Sequence, residues 1–278
     1  MQLDKTRIPI RERSIFEIMD LALRILWCDA WGIVVAFLVG CVPFAALNYW
    51  LLIDLQVFSS QSAEDYAQSV LLLMLVEYPF AVLPLTIHLG NWMFMQETCW
   101  FEIFKRCFRV APQMFLLQGI LRVLLLPWVI TWFFLFAYWP YMSEIIVLEQ
   151  TPLFGKPGRS IGTMQRAFSF HGPEFGRLLL RWITVVFNGL LLVLSGWLSV
   201  IVVHGLLMDK TAGMPWSDAA ITIPSHYTIM LPVVTWIVVG YVTIVRFLCY
   251  LDLRIRREGW EIDLMLRAEK ERRARRLT

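Results

Sequence analysis

Apolar residues fall in runs of about 20, the length an α-helix needs to cross a hydrocarbon core roughly 30 Å thick. Short charged stretches divide the runs. The pattern predicts spans over roughly 31–52, 70–94, 182–207 and 227–250. The stretch 113–149 is also apolar, interrupted by Arg122, Pro127, Pro140 and Glu144. Two crossings there would average about 18 residues, or roughly 27 Å at the α-helical rise. A short hairpin is predicted, turning between Pro127 and Pro140, which makes six spans.

Amphipathic segments stand before the spans. Residues 14–27 (SIFEIMDLALRILW) read as a helix with Ser14 as N-cap and Glu17 three residues on, a capping box. Glu17, Asp20 and Arg24 share one face, and Asp20 precedes Arg24 at the favourable i,i+4 spacing. Such a helix lies in the membrane interface rather than crossing it. Residues 97–110 form a second amphipathic helix, with Glu102, Lys105, Arg106 and Arg109 on its polar side. FEIMDLALR (16–24), FEIFKRCFR (101–109) and IGTMQRAFS (161–169) align without gaps, and each precedes a pair of spans. The expected fold class is therefore all-α: a polytopic transmembrane helical bundle of about six spans in three pseudo-repeats, each opened by an interfacial helix. The units are 1–96, 97–150 and 151–251, within one integral membrane domain that ends in a basic tail, 252–278.

Charge sets the orientation. Of 25 Lys and Arg residues, 22 fall on one side of this arrangement; Arg122 and Arg246 lie within spans and Lys210 lies opposite. Basic residues mark the cytoplasmic side, so both termini are expected there, in a bacterial inner membrane. The loop 54–69, with three acidic residues and no Lys or Arg, is expected outside. Composition agrees: 58% of residues are hydrophobic and 17% charged, against about 25% charged in soluble domains. Many of the 13 Trp edge the apolar runs, as in interfacial belts. No compact apolar core with a small-residue cleavage site follows the charged start, so the first span is expected to remain as an uncleaved anchor. None of the five Cys falls in an expected outer loop, which argues against structural disulfides.

The tail reads YLDLRIRREGWEIDLML (250–266), with Asp252-Leu253-Arg254, Arg256, Glu258-Gly259 and Asp263-Leu264. This resembles the end of bacterial six-span proteins related to the membrane domain of glycerophosphoryl diester phosphodiesterases. RSIFEIMDLALRI (13–25) resembles the opening of that group, and EIIVLEQTPLF (144–154) its middle. The resemblance implies architecture far more than activity. The phosphodiesterase chemistry belongs to a separate soluble barrel of about 250 residues, for which this chain has no room.

No Gly-rich phosphate loop, Gly-x-Ser-x-Gly elbow, His-Glu-x-x-His or Cys-x-x-Cys is present. The four histidines are scattered and are expected to pack rather than ligate, and no metal site or cofactor is expected. Ionisable residues within spans are costly and face a bundle interior or a wet cavity. Glu77, Arg122 and Glu144 are therefore the candidate intramembrane polar site, either locking helices together or binding a lipid headgroup or small anion through Arg122. Glu144 and Glu149 stand five apart, so on an α-helix they do not share a face. The tail residues Arg267, Lys270, Arg272, Arg273, Arg275 and Arg276 are candidate contacts for anionic lipid, worth about 1 kcal/mol per basic residue at the surface.

The expected partners are the bilayer, anionic lipid headgroups and a membrane-protein partner, with no nucleic acid. The first functional expectation is a non-enzymatic membrane scaffold or accessory component. The alternative is a transporter or lipid-handling protein with a polar intramembrane site; a membrane-embedded enzyme stands third, lacking a nucleophile or metal constellation.

Overall fold

The computed structural model describes residues 7–8, 11–54, 63–94, 99–120, 140–153, 155, 162–172, 175–207 and 225–258. Among them there is no strand. The helices are α1 (Ile15–Cys28), α2 (Ala30–Asp54), α3 (Ala63–Ala81), α4 (Leu83–Met93), α5 (Trp100–Met114), α6 (Thr163–His171), α7 (Phe175–Leu207) and α8 (Ser225–Glu258). Two π-helical turns, Phe115–Ile120 and Ile145–Glu149, complete the set, the second preceded by a short turn at Met142–Glu144.

Four helical stretches are long and apolar enough to cross a membrane: Ala30–Leu51, Gln68–Met93, Phe175–Val203 and Met230–Arg257. They match four of the six expected spans. The hairpin expected over 113–149 falls mainly on 121–139, outside the described residues, as do Arg122 and the basic tail residues 267–276. Two helices run past the expected span boundaries. Helix α7 begins at Phe175, seven residues before the expected 182, and α8 continues to Glu258 rather than stopping near 250. The tail expected from Asp252 thus starts inside a helix. The cause is charge compensation: Asp252 and Arg181 bind each other, so neither has to leave the bundle.

α8 is the central helix, packing against α7, α3, α1 and α4. The second span bends at Val82, between α3 and α4. Pro84 sits at the start of α4 and cannot donate to the preceding turn, which ends α3 there. The bend meets α2 at Gly40, where an added Cβ would collide with the Ala81 carbonyl, so a residue without a side chain is required for this approach.

The surface helices present three faces. On α1, Ile18, Ala22 and Ile25 are buried; Phe16, Leu23 and Trp27 are exposed on a second face; Glu17, Asp20 and Arg24 lie on a third. On α5 the same division separates Ile103, Val110 and Met114 from Phe101, Phe104 and Phe108, and these from Lys105 and Arg109. One face meets protein, one suits hydrocarbon and one suits water, the arrangement of a helix lying at a membrane boundary. The capping box of Ser14 and Glu17 is formed, and Arg24 pairs with Asp20 at 2.9 Å.

Candidate functional site

A groove of about 530 Å³ lies between α3, α7 and α8. Its walls are apolar: Leu71, Met74 and Leu75 from α3; Val186, Leu190 and Val193 from α7; and Trp236, Val239 and Val242 from α8. Val186 and Leu190 are also exposed on the outer side of α7, so the groove opens where hydrocarbon would lie. From Thr235 to Cys249 it follows α8 for 14 residues, about 21 Å at the helical rise. One end is polar, formed by Tyr78, Pro140, Tyr141, Arg246 and Cys249.

Arg246 organises that end. Its Nη2 donates to the Pro140 carbonyl at 2.7 Å, to Ser143 Oγ at 3.0 Å and to Glu144 Oε2 at 3.1 Å. Glu144 Oε1 lies 3.0 Å from the same nitrogen. Nη1 donates to the Tyr78 hydroxyl, and the guanidinium sits over the Tyr78 ring. Ser143 Oγ donates to Glu144 at 2.8 Å. A charge at this depth is expensive unless paired and hydrogen-bonded. Here the pair is neutral overall, and the arginine's neutral acceptors come from two further elements.

Glu144 is thus brought into a polar cluster, with Arg246 as its partner; Arg122 lies outside the described residues. Glu77 stands apart, buried and accepting from Asn48 Nδ2 at 2.8 Å, a bond between α3 and α2. The structure revises the expectation that Glu144 and Glu149 diverge. Residues 145–149 form a π-helical turn, whose i→i+5 spacing brings positions five apart nearer to one side. Both carboxylates meet α8: Glu144 at Arg246, and Glu149 at Tyr250, whose hydroxyl donates at 2.8 Å, with Arg254 at 3.8 Å. Arg246, Tyr250 and Arg254 are successive i,i+4 positions, one face of α8. Glu149 also accepts two bonds from Arg166 of α6, at 2.8 and 3.3 Å.

A third cluster closes the bundle around Asp252, which is 3% exposed. It accepts from the Arg13 backbone N–H at 2.9 Å, from Arg181 at 2.6 Å and from Arg256 at 3.0 Å. Arg181 and Arg256 also donate to the Arg13 carbonyl. The segment entering α1, the start of α7 and the end of α8 meet on one carboxylate.

Sequence reasoning placed Arg246 in a span without giving it a role, and saw Asp252 only as part of a pattern. The signal for Arg246 was its type: a guanidinium does not deprotonate, so within an apolar helix it demands a carboxylate.

The two histidines whose side chains are described, His88 and His171, are packed apart from each other. His88 Nε2 lies 2.7 Å from Asp29 and its ring stacks on Trp100. His171 Nδ1–H donates to the Ala167 carbonyl at 2.7 Å, and burial holds its pKa down to about 4. No group of three His, Cys, Asp or Glu side chains suited to a metal occurs among the described residues.

No family model, curated protein or solved structure matches the chain.

Proposed function

We propose that this chain is a non-enzymatic, lipid-holding component of a bacterial inner membrane, crossing it six times with both ends in the cytoplasm. The observation that carries the reading is the groove: about 21 Å long, apolar along most of its walls, open toward hydrocarbon, and closed at one end by the Tyr78–Arg246–Glu144 cluster. Its volume of about 530 Å³ falls within the usual range for ligand sites. One acyl chain would lie along α8, with the lipid's ester or hydroxyl groups at the polar end. Since Glu144 already balances the arginine, that end favours a neutral hydrogen-bonding group over a second anion. A phosphate would sit nearer the start of α7, beside Trp182.

Three further observations support the architecture. The 22 basic residues on one side favour cytoplasmic ends. The aligned segments share their burial as well as their residue types: Ile18, Ile103 and Thr163 are buried and Leu23, Phe108 and Phe168 are exposed, while one position beyond each segment Ile25, Val110 and Phe170 are again buried. That agreement favours three copies of one unit, a surface helix followed by a membrane hairpin. The resemblance to phosphodiesterase-associated membrane domains fits the same layout.

Native mass spectrometry of the protein released from mild detergent tests the reading. The parent is expected to carry one lipid mass per chain, and Val193→Trp, which fills the groove, is expected to lose it. A parent without lipid, or a Val193→Trp variant that retains as much as the parent, would refute it.

A further inference from the structure

α7 is the least enclosed of the four candidate spans, yet a carboxamide stands near its midpoint. Asn188 lies 13 residues from Phe175 and 15 from Val203, about 20 Å from either end of the span. Three hydroxyl side chains along this helix satisfy themselves. Thr184, Ser195 and Ser199 donate to carbonyls of their own helix, at 2.9, 3.1 and 2.7 Å. Asn188 has no hydrogen bond to any described residue. Within the hydrocarbon core neither water nor lipid tails can supply one, so an unbonded amide is costly there.

Its neighbours on the helix surface are spaced for a second helix. Thr184, Asn188, Leu191, Ser195, Leu198 and Val202 recur at intervals of four, three, four, three and four residues. That is the period of a left-handed helix pair, and it continues for almost three heptads. Leu191, Leu198 and Val202 are exposed. The small Thr184 and Ser195 permit close approach of two backbones. At about 100° per residue this seam lies on the opposite side of α7 from the groove-lining Val186, Gly189 and Val193. An occupant of one leaves the other open.

We infer that α7 pairs with α7 of a second copy of this chain, through a parallel seam centred on Asn188. The amide identifies the partner. Copies inserted in the same orientation place identical residues at the same depth, so Asn188 meets the partner's Asn188 across a twofold axis. A carboxamide carries both a donor and an acceptor, so two of them satisfy each other without any further group. The inference does not depend on lipid occupancy of the groove.

Subunit counting by single-molecule photobleaching, with singly labelled protein diluted into liposomes, tests the pairing. The parent is expected to show two-step bleaching over a range of dilution. Asn188→Leu is expected to shift the monomer–dimer midpoint about tenfold, the factor given by one interhelical hydrogen bond within a membrane. Its melting temperature at high dilution should stay that of the parent, because the replaced side chain is only half-buried and bonds no described residue of its own chain. Asn188→Gln should restore part of the pairing. In membranes, Ser195→Cys is expected to give an oxidative crosslink to a second copy above the level of the parent's own five cysteines, and Leu190→Cys, on the groove side, is not. A parent that counts as a monomer at every dilution would overturn the inference. So would an Asn188→Leu variant that pairs as tightly as the parent, or a Ser195→Cys crosslink to a different polypeptide alone.

Discussion

Replacing Glu144 with leucine isolates the charge at the polar end of the groove. Glu144 Oε2 accepts from Arg246 Nη2 at 3.1 Å and from Ser143 at 2.8 Å, and its Oε1 lies 3.0 Å from the same nitrogen. After the substitution, Arg246 keeps the Pro140 carbonyl, the Ser143 hydroxyl and the Tyr78 hydroxyl, all neutral. Its side chain is only 16% exposed, so the positive charge is left with no carboxylate and little water. Removing one member of a buried ion pair costs roughly 3–5 kcal/mol. Arg246→Leu should cost less, because the abandoned Glu144 can take up a proton whereas the abandoned guanidinium cannot lose one. The double variant should return to within about 1 kcal/mol of the parent, since a buried pair exchanged for apolar residues is often neutral. Reversible unfolding of the four proteins in lipid–detergent micelles measures the cycle. The expected order of stability is parent and double variant together, then Arg246→Leu, then Glu144→Leu. Single variants within about 1 kcal/mol of the parent, or a double variant that costs the sum of the two, would refute the pairing argument.

Asp252→Ala removes the acceptor shared by Arg13, Arg181 and Arg256; a loss of roughly 3–5 kcal/mol is expected, with faster tryptic cleavage after Arg13, and unchanged cleavage would contradict the clasp. His171 gives a pH signature. Its folded pKa of about 4 lies below the ordinary 6.5, so the unfolded chain binds the proton first. Its contribution is complete above pH 6.5, declines as pH falls toward 4, and amounts to about 3 kcal/mol over that window. His171→Gln should remove that part of the slope in a stability-versus-pH series, and an identical slope would count against its burial. Maleimide should modify the exposed Cys28 and Cys99 first and leave the buried Cys41 and Cys249 intact. Cys107, whose thiol is pushed up to about 11 by burial, should react slowly at pH 7.5 and faster at pH 9.5. Rapid modification of Cys249 would mean that α8 is not enclosed as described.

Local features were legible in the sequence, and long-range partners were not. The Ser14–Glu17 capping box and the Asp20–Arg24 pair depend on residues within four positions of each other, and both formed as expected. Four spans followed from apolar length alone. Glu144 stood out because a carboxylate within an apolar stretch needs an explanation. Its partner is 102 residues away, and no local rule connects them. The π-helical turn defeated the face argument for Glu144 and Glu149, because that argument assumed α-helical spacing. The extension of α7 and α8 beyond the expected spans was hidden for a related reason. Arg181 and Asp252 read as residues at the ends of their spans, but the bond between them buries both charges, and each helix runs on past them. The groove was invisible in the sequence because Leu71, Val193 and Val239 are ordinary span residues until three helices set them side by side.

The most direct measurement of lipid holding uses a phospholipid with a photoactivatable diazirine in one acyl chain, mixed into liposomes that contain the protein. After illumination, mass spectrometry maps the modified residues. Labelling should concentrate on Leu75, Val186, Leu190 and Val239 along the groove, above the exposed Leu194 and Ile237 outside it, and Val193→Trp should abolish that excess. Labelling spread evenly over every exposed apolar side chain of α2 and α7 would contradict the account.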